Sequence, residues 1–308
     1  MPTCAADKYF SLCFHDGAII SSQEAKLHLG SLGLRYALSA FEGIRLYVQR
    51  AEKSVLPFRL SEHQSRLQNS LSFLHLTDAT ENTLADIIEQ LITKNHIDED
   101  SYIRLSVSAS AIGDLHSDGQ DSITTLLINK MGRKVWLREN KAMRVAISTW
   151  QRADDVVFPG RIKNISNYAG PHLALREAKA LGFDSIILCN SRGNLSEGPT
   201  CALVLILDGT VVTPPISDGV LPSITCKTVR EICSEMGIPF TQRSLTREDA
   251  YAASEAFFCG TGLEFAAIGS IDGREIGDGR IGNITRKVIA EYFCRVRRIS
   301  NVRATTIS

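Results

Sequence analysis

The 308-residue chain lacks most of the features that point at once to a partner or a chemistry. It carries no net charge, because 34 Lys and Arg are balanced by 34 Asp and Glu. Such a chain projects no whole-protein field toward nucleic acid or an anionic membrane surface. No stretch approaches the roughly 18 apolar residues that span a bilayer. The opening MPTCAADKYF has no basic run followed by an apolar one, the pattern of a secretory signal. None of the eight cysteines forms a CxxC pair and none of the seven histidines an HxxxH, so zinc spacing and a disulfide framework are excluded. Scattered thiols fit a reducing compartment, and a cytoplasmic protein is expected. A Walker-type GxxxxGK[ST] and a GxSxG elbow are missing too, which removes common phosphate-loop and hydrolase readings.

What is present is ordinary for a globular chain: 44% apolar and 22% charged residues, in a length that suits two domains. Residues 9–14, 43–48, 102–107 and 123–128 have strand character, with His15-Asp16-Gly17 as a turn. Ser61, with Gln64 three residues on, predicts a capped helix start, and Leu67, Leu71 and Leu74 recur at helical spacing behind it. A second helix is expected over 83–95. The polar stretch 129–141 holds the expected linker, 133–141, between a smaller domain over 1–132 and a larger one over 142–308.

Beyond the linker, strands are expected at 145–149, 185–189, 202–207 and 256–259, and helices at 171–181 and 225–236. Asp208-Gly209 and Asp272-Gly273 read as hairpin turns. Hairpins mixed with helices favour α+β over a regular parallel array. The arginine-rich tail, residues 294–308, reads as a solvated, frayed end.

Four segments carry the chemical interest. Residues 157–168 (VFPGRIKNISNY) place Lys163 in a loop just ahead of a helix, followed by Asn167-Tyr168. Ser196-Glu197-Gly198 puts a glutamate in a turn leading to a strand, and Leu221-Pro222-Ser223-Ile224-Thr225 opens a helix with two amides and a hydroxyl. Cys259-Gly260-Thr261-Gly262 ends a strand in a glycine-flanked threonine. Taken singly, each has a plain structural reading.

In this order, and with Tyr36, Phe41-Glu42-Gly43-Ile44-Arg45, Phe58-Arg59, Glu62-His63, Arg66-Leu67 and Tyr102-Ile103-Arg104 before them, the segments resemble one family. The chain looks like a fold-type IV pyridoxal-phosphate-dependent aminotransferase of the branched-chain amino acid group, from about Tyr36 to Thr285. The resemblance implies an α+β fold like that of D-amino acid aminotransferase. A smaller α/β N-terminal domain would precede a larger, β-rich one that binds pyridoxal 5'-phosphate. It implies a homodimer, and no nucleic acid or membrane partner is expected. The implied reaction moves an amino group between an apolar L-amino acid and 2-oxoglutarate.

By the same resemblance, Lys163 holds the cofactor's aldehyde as an imine and then serves as the catalytic base. Tyr168 would bond the ring's phenolic oxygen, and Glu197 would face the pyridine nitrogen. Arg59, Ile224, Thr225 and Thr261 are the matching phosphate contacts, a fork and a helix start suited to an anion. Thr261 and Gly262, with Tyr102, would take the substrate's α-carboxylate. Arg104, with Tyr36 nearby, would take a distal carboxylate, and Phe41 would line the side-chain pocket. Tyr102 and Arg104 lie two apart in a strand, so they share a face.

Some positions depart from the family's usual wording: Ala202, Ser223, Cys226, Gly262, and residues 111–120 with Asp114, His116 and Asp118. They leave the cofactor set whole and bear on the choice of substrate. A transaminase for a non-standard amino acid or amine, or a same-fold lyase such as aminodeoxychorismate lyase, stands as the alternative.

Overall fold

The computed structural model describes residues 8–298 apart from 79, 81, 115, 117–120 and 133. Two compact units emerge. One comprises the described residues up to Gly132 together with Ile162–Ser166, the other the remainder. Among the described residues no helix is long and apolar enough to cross a membrane.

The first unit contains β1 (Leu12–His15), β2 (Ala18–Ser21), α1 (Leu32–Arg35), β3 (Ser39–Gln49) and β4 (Ser54–Pro57). It continues with α2 (Leu60–Leu74), α3 (Leu84–Lys94), β5 (Ser101–Ala109) and β6 (Ser122–Lys130). Its six strands run in the order β2-β1-β6-β5-β3-β4, and every pairing is antiparallel. In β5, Ile103, Leu105 and Val107 are buried while Tyr102, Arg104, Ser106 and Ser108 are only partly so. That alternation follows the strand's two-residue period. The buried set packs with Leu67 and Leu71 of α2 and Leu84, Ile88 and Leu91 of α3. Both helices bury residues three, four and seven apart, the stripe that amphipathic helices present to a core.

The start of α2 differs from the expectation. The helix begins at Leu60 and its N-cap is Arg59, in the left-handed region at φ 55°, with no side-chain cap. Ser61 therefore lies inside the first turn, where its hydroxyl donates to Glu62 (3.0 Å) instead of capping. The strand expected over 9–14 begins at Leu12, with Tyr9 reduced to an isolated bridge to Asn129.

The second unit opens with α4 (Val135–Arg138), a single turn in the segment expected as linker, and β7 (Met143–Gln151). There follow α5 (Ala169–Ala180), β8 (Ser185–Cys189), β9 (Ala202–Leu207), β10 (Thr210–Thr213), α6 (Ile224–Glu235) and β11 (Phe240–Gln242). The unit ends with α7 (Arg247–Ala252), β12 (Glu255–Gly260), β13 (Glu264–Ile271), β14 (Arg274–Glu275) and α8 (Asn283–Val296). Its sheet runs β11-β10-β9-β12-β13-β7-β8, with β14 on β13. Parallel pairs (β7 with β8 and β13, β10 with β11) sit beside antiparallel ones, and β8, β9, β12 and β13 are buried nearly throughout.

Asp208-Gly209 and Asp272-Gly273 turn their hairpins with positive φ at both residues (48° and 73°, 50° and 79°), as two-residue loops between twisted strands require. Only the start of the tail, up to Arg298, lies within the described residues. Residues up to Val296 belong to α8, where Arg295 meets Glu231, Glu235 and Glu291. Those acidic partners on α6 and on its own turn hold the end of α8, while residues 299–308, with Arg303, lie outside the described residues.

Residues 277–282 (GDGRIG) spell a GxGxxG pattern ahead of α8, where none was expected. It follows the β13–β14 hairpin, and Glu255 fills the helix start, accepting the Ile284 and Thr285 N–H groups at 2.9 and 2.8 Å. A pyrophosphate would meet a carboxylate there.

Candidate active site

In the first unit, the expected residues gather along β3, β5 and the segment Ile162–Ser166. Strand β4 pairs only with Leu46–Gln49, so the other end of that edge of β3 is open to another partner. The loop segment supplies it: Phe41 N–H donates to the Lys163 carbonyl (3.0 Å), and Ala40 bridges to Asn164. Lys163 N–H donates to the Ser70 hydroxyl of α2 (3.1 Å). Both peptide groups of the lysine are thereby held, and its Nζ lies 4.5 Å from the centre of the Phe41 ring.

The face that Phe41 shares with Gly43 also carries Tyr102 and Arg104, paired across from Arg45 and Gly43. A Cβ at Gly43 would collide with the Tyr102 hydroxyl, so glycine makes the room for the phenol. Burial pushes that hydroxyl above its ordinary value. The Arg104 guanidinium stacks on Phe41, 3.3 Å from the ring centre, and donates to Ser106 (3.3 Å). Tyr36 caps the C-terminal end of α1 under Arg35. Arg59 pairs with Glu62 at 2.9 Å, which orients one arm of its fork.

On the opposite, helix-covered face of β3 lies a cluster that the sequence named only as part of a motif. Glu42 is fully buried, and its carboxylate accepts Arg66 Nε (2.6 Å), Arg66 Nη2 (2.8 Å), His63 Nδ1 (2.7 Å) and the Gly43 N–H (3.2 Å). Burial alone would raise this carboxyl, but the Arg66 guanidinium and the His63 bond outweigh it. They hold it far below the usual carboxylate range. Burial pushes the His63 imidazole down, against the pull of Glu42.

In the second unit, Glu197 is buried in the turn before β9. Its Oε1 lies 3.0 Å from Arg152 Nη2, and its Oε2 accepts the Leu221 N–H at 3.3 Å. Arg152, at the end of β7, was not among the expected site residues. It is itself buried, and its other nitrogens donate to the carbonyls of Asn167 (3.2 Å) and Gly219 (3.4 Å). One guanidinium thus ties Glu197 to the segment holding Tyr168 and to the turn before α6. No sequence signal marked it beyond an arginine at the end of an apolar strand, which is costly unless it meets polar partners.

Ile224 and Thr225 begin α6, so their N–H groups have no carbonyl one turn back, and Ser223 caps the helix by accepting from Cys226 N–H (3.1 Å). Thr261 and Gly262 form the tight turn between β12 and β13. Gly198 is required by packing, since a Cβ there would lie 2.6 Å from the Cys201 sulfur. Two departures from the family's wording have simple surroundings. Ala202 starts β9 and bridges to Glu197, and the Cys226 thiol points inward, 3.9 Å from the Thr213 hydroxyl. Of the divergent stretch 111–120, Asp114 accepts His116 N–H (2.9 Å), while Asp118 lies outside the described residues.

These residues fit pyridoxal phosphate. A phosphate suits the first-turn amides of α6 and the Thr225 and Thr261 hydroxyls, and a pyridine nitrogen suits a buried carboxylate backed by arginine. An aldehyde suits a lysine held by both peptide groups. Beside Glu197, the Ser196 hydroxyl is fully buried and meets no hydrogen-bond partner among the described residues, an orphan that a polar ligand would satisfy. Among the described residues no group of His, Cys, Asp and Glu could hold a metal ion.

Comparison with known proteins agrees along nearly the whole chain. A probable branched-chain-amino-acid aminotransferase of Aquifex aeolicus is 32% identical over 302 residues, 94% of each chain. The solved branched-chain aminotransferase of the archaeon Thermoproteus uzoniensis with norvaline superposes with a TM-score of 0.88 at 32% identity, covering 94% of this chain and 96% of that one. The branched-chain amino acid aminotransferase of T.th., complexed with N-(5'-phosphopyridoxyl)-L-glutamate, superposes with a TM-score of 0.88 at 29% identity, covering 94% and 95%. The model of the amino-transferase class IV family matches residues 39–271. The fold expected from the motifs is the fold found, and the chain belongs to the amino-transferase class IV family.

Proposed function

We propose that this aminotransferase moves an amino group between a branched-chain or similarly apolar L-amino acid and 2-oxoglutarate, with pyridoxal phosphate as cofactor. The observation that carries the reading is the buried Glu197 carboxylate paired with Arg152 at 3.0 Å in the unit that also presents the α6 amides. Bound there, the cofactor supplies an electron sink for the substrate's α-carbon.

The residues divide the work as follows. Lys163 holds the cofactor through Nζ and, once displaced by substrate, carries the α-proton as general base. Tyr168 donates to the ring's phenolic oxygen, and Glu197 accepts from the ring N–H. Arg59, the Ile224 and Thr225 amides and Thr261 hold the phosphate. The Thr261–Gly262 turn and Tyr102 orient the α-carboxylate. Arg104, with Tyr36, takes the distal carboxylate of glutamate, and Phe41 packs on the side chain. The relatives' norvaline and phosphopyridoxyl-glutamate complexes support an apolar donor paired with glutamate. A homodimer is part of the proposal, as is the cytoplasm, which suits the buried free thiols among the described cysteines.

The test is a visible spectrum of the purified protein, repeated with each amino acid in turn. A yellow band that bleaches with leucine, isoleucine or valine and returns with 2-oxoglutarate is the expected result. Bleaching by none of the three, with another amino acid active, would overturn the substrate assignment. Product release with no acceptor would place the chain with the lyases.

A further inference from the structure

The first unit contains a buried ionic cluster that no proposed contact with cofactor or substrate explains. Glu42 and His63 are fully buried and Arg66 partly so, with the carboxylate receiving three side-chain bonds of 2.6–2.8 Å. Burying such a group rarely stabilises a fold more than apolar residues of similar size would. It does fix geometry, because a guanidinium fork accepts one arrangement on a carboxylate where leucines would allow several.

The geometry it fixes is the register of α2 on β3. His63, Arg66 and Ser70 fall three, then four residues apart, on one stripe of α2. The first two grip Glu42, and the third sits one turn further along. The Ser70 hydroxyl donates to the Arg66 carbonyl (3.1 Å), which turns its lone pairs to the Lys163 N–H, 3.1 Å away. From the other side, Phe41, the neighbour of Glu42 on β3, donates to the Lys163 carbonyl. A slip of α2 by one turn would break both the fork and the Ser70 bond.

We infer that Ser70 is a positioning residue for Lys163, held in place by the Glu42–His63–Arg66 cluster. It touches neither substrate nor cofactor; it fixes the peptide from which the reactive amine extends, so that Nζ stays over Phe41. The inference rests on Lys163 as the cofactor lysine.

The experiment uses the whole protein. Wild type, Ser70→Ala, Ser70→Thr and Ser65→Ala are mixed with pyridoxal phosphate, reduced with borohydride at timed intervals and mapped by peptide mass, alongside kcat and KM. Ser65 is the control, since its hydroxyl makes the same back-bond on α2 (to Ser61, 2.9 Å) at an exposed position of the helix. Removing one hydrogen bond from the lysine's peptide is expected to slow both trapping at Lys163 and kcat by about three- to tenfold, with KM little changed. Ser70→Thr, which keeps the hydroxyl, is expected to recover most of that loss, and Ser65→Ala to match wild type.

Trapping and kcat of Ser70→Ala at the wild-type rate would overturn the inference, as would equal losses in Ser65→Ala. Should Ser70→Ala not fold, amide hydrogen exchange of the wild type decides: Lys163 N–H exchanging as fast as an open loop amide refutes the bond, and strong protection upholds it. Trapping of wild type at a lysine other than 163 would instead sink the cofactor assignment, a separate failure.

Discussion

Two buried carboxylates, one in each unit, are held in different ways. Glu42 takes both arms of Arg66, a histidine and its neighbour's amide, all on the helix-covered face of a sheet. Glu197 pairs with Arg152 Nη2 at 3.0 Å and accepts the Leu221 N–H at a longer 3.3 Å. The partners of Arg152 are equally telling. Its remaining bonds go to backbone carbonyls of two other segments expected to meet the cofactor, whereas Arg66 grips Glu42 with two nitrogens at once. Tight saturation suits a carboxylate that sets structure. A carboxylate whose arginine also ties two segments expected to meet the cofactor suits one that meets a ligand.

Substitutions can separate the two roles. The largest loss is expected from Lys163→Ala, which removes the amine itself: turnover should fall about a thousandfold or more while the melting profile stays near wild type. Retained turnover would end the assignment. Next, Glu42→Ala should act on stability, because it removes the fully buried carboxylate that Arg66 and the buried His63 share; a cost of about 3–5 kcal/mol is expected in denaturant unfolding. Glu197→Gln should do the reverse, leaving unfolding little changed while slowing single-turnover proton transfer severely. If the two variants behave alike, the two carboxylates do not divide into structural and functional roles.

A smaller effect is expected from Arg104→Ala. It should weaken 2-oxoglutarate by about tenfold relative to an apolar 2-oxo acid, the worth of one charged hydrogen bond; equal losses would remove the distal-carboxylate role. The smallest concerns α7, where Thr246 and Asp249 form a capping box. The Arg243 hydrogen bond, against burial, and the Thr246 bonds lower Asp249 to about 2. A carboxyl lowered in the folded state stabilises fully above its ordinary value and loses that contribution as pH falls through about 2. Thr246→Ala should cost about 1 kcal/mol at neutral pH, and less at the acid limit, as unfolding curves at both pH values would show.

How far the chain could be read in advance depended on whether the information was local. The hairpins at 208–209 and 272–273 follow from an Asp-Gly pair needing two positive φ values, which only nearby residues decide. The alternation of β5 alone puts Tyr102 and Arg104 on one face. Lys163, Glu197 and Thr261 were singled out through the company of their neighbours in a recognisable order. The start of α2 misled because Ser61 looked like a cap, whereas the helix begins after a left-handed Arg59 with no capping side chain. Arg152 and Ser70 were invisible for a common reason. Each acts through partners from 15 to 93 residues away, and no short motif records such a meeting.

One consequence follows from the open edge of β3. The first unit is not a continuous piece of chain: it borrows 162–166, and those residues cover the edge at Ser39–Phe41 that β4 leaves uncovered. A fragment cut at Gly132 would keep every strand and helix of its sheet yet present bare backbone donors and acceptors at that edge. Such an edge recruits strands from other copies. The loop of Lys163, the proposed cofactor lysine, is thus also the seal that keeps this sheet from sticking to its neighbours.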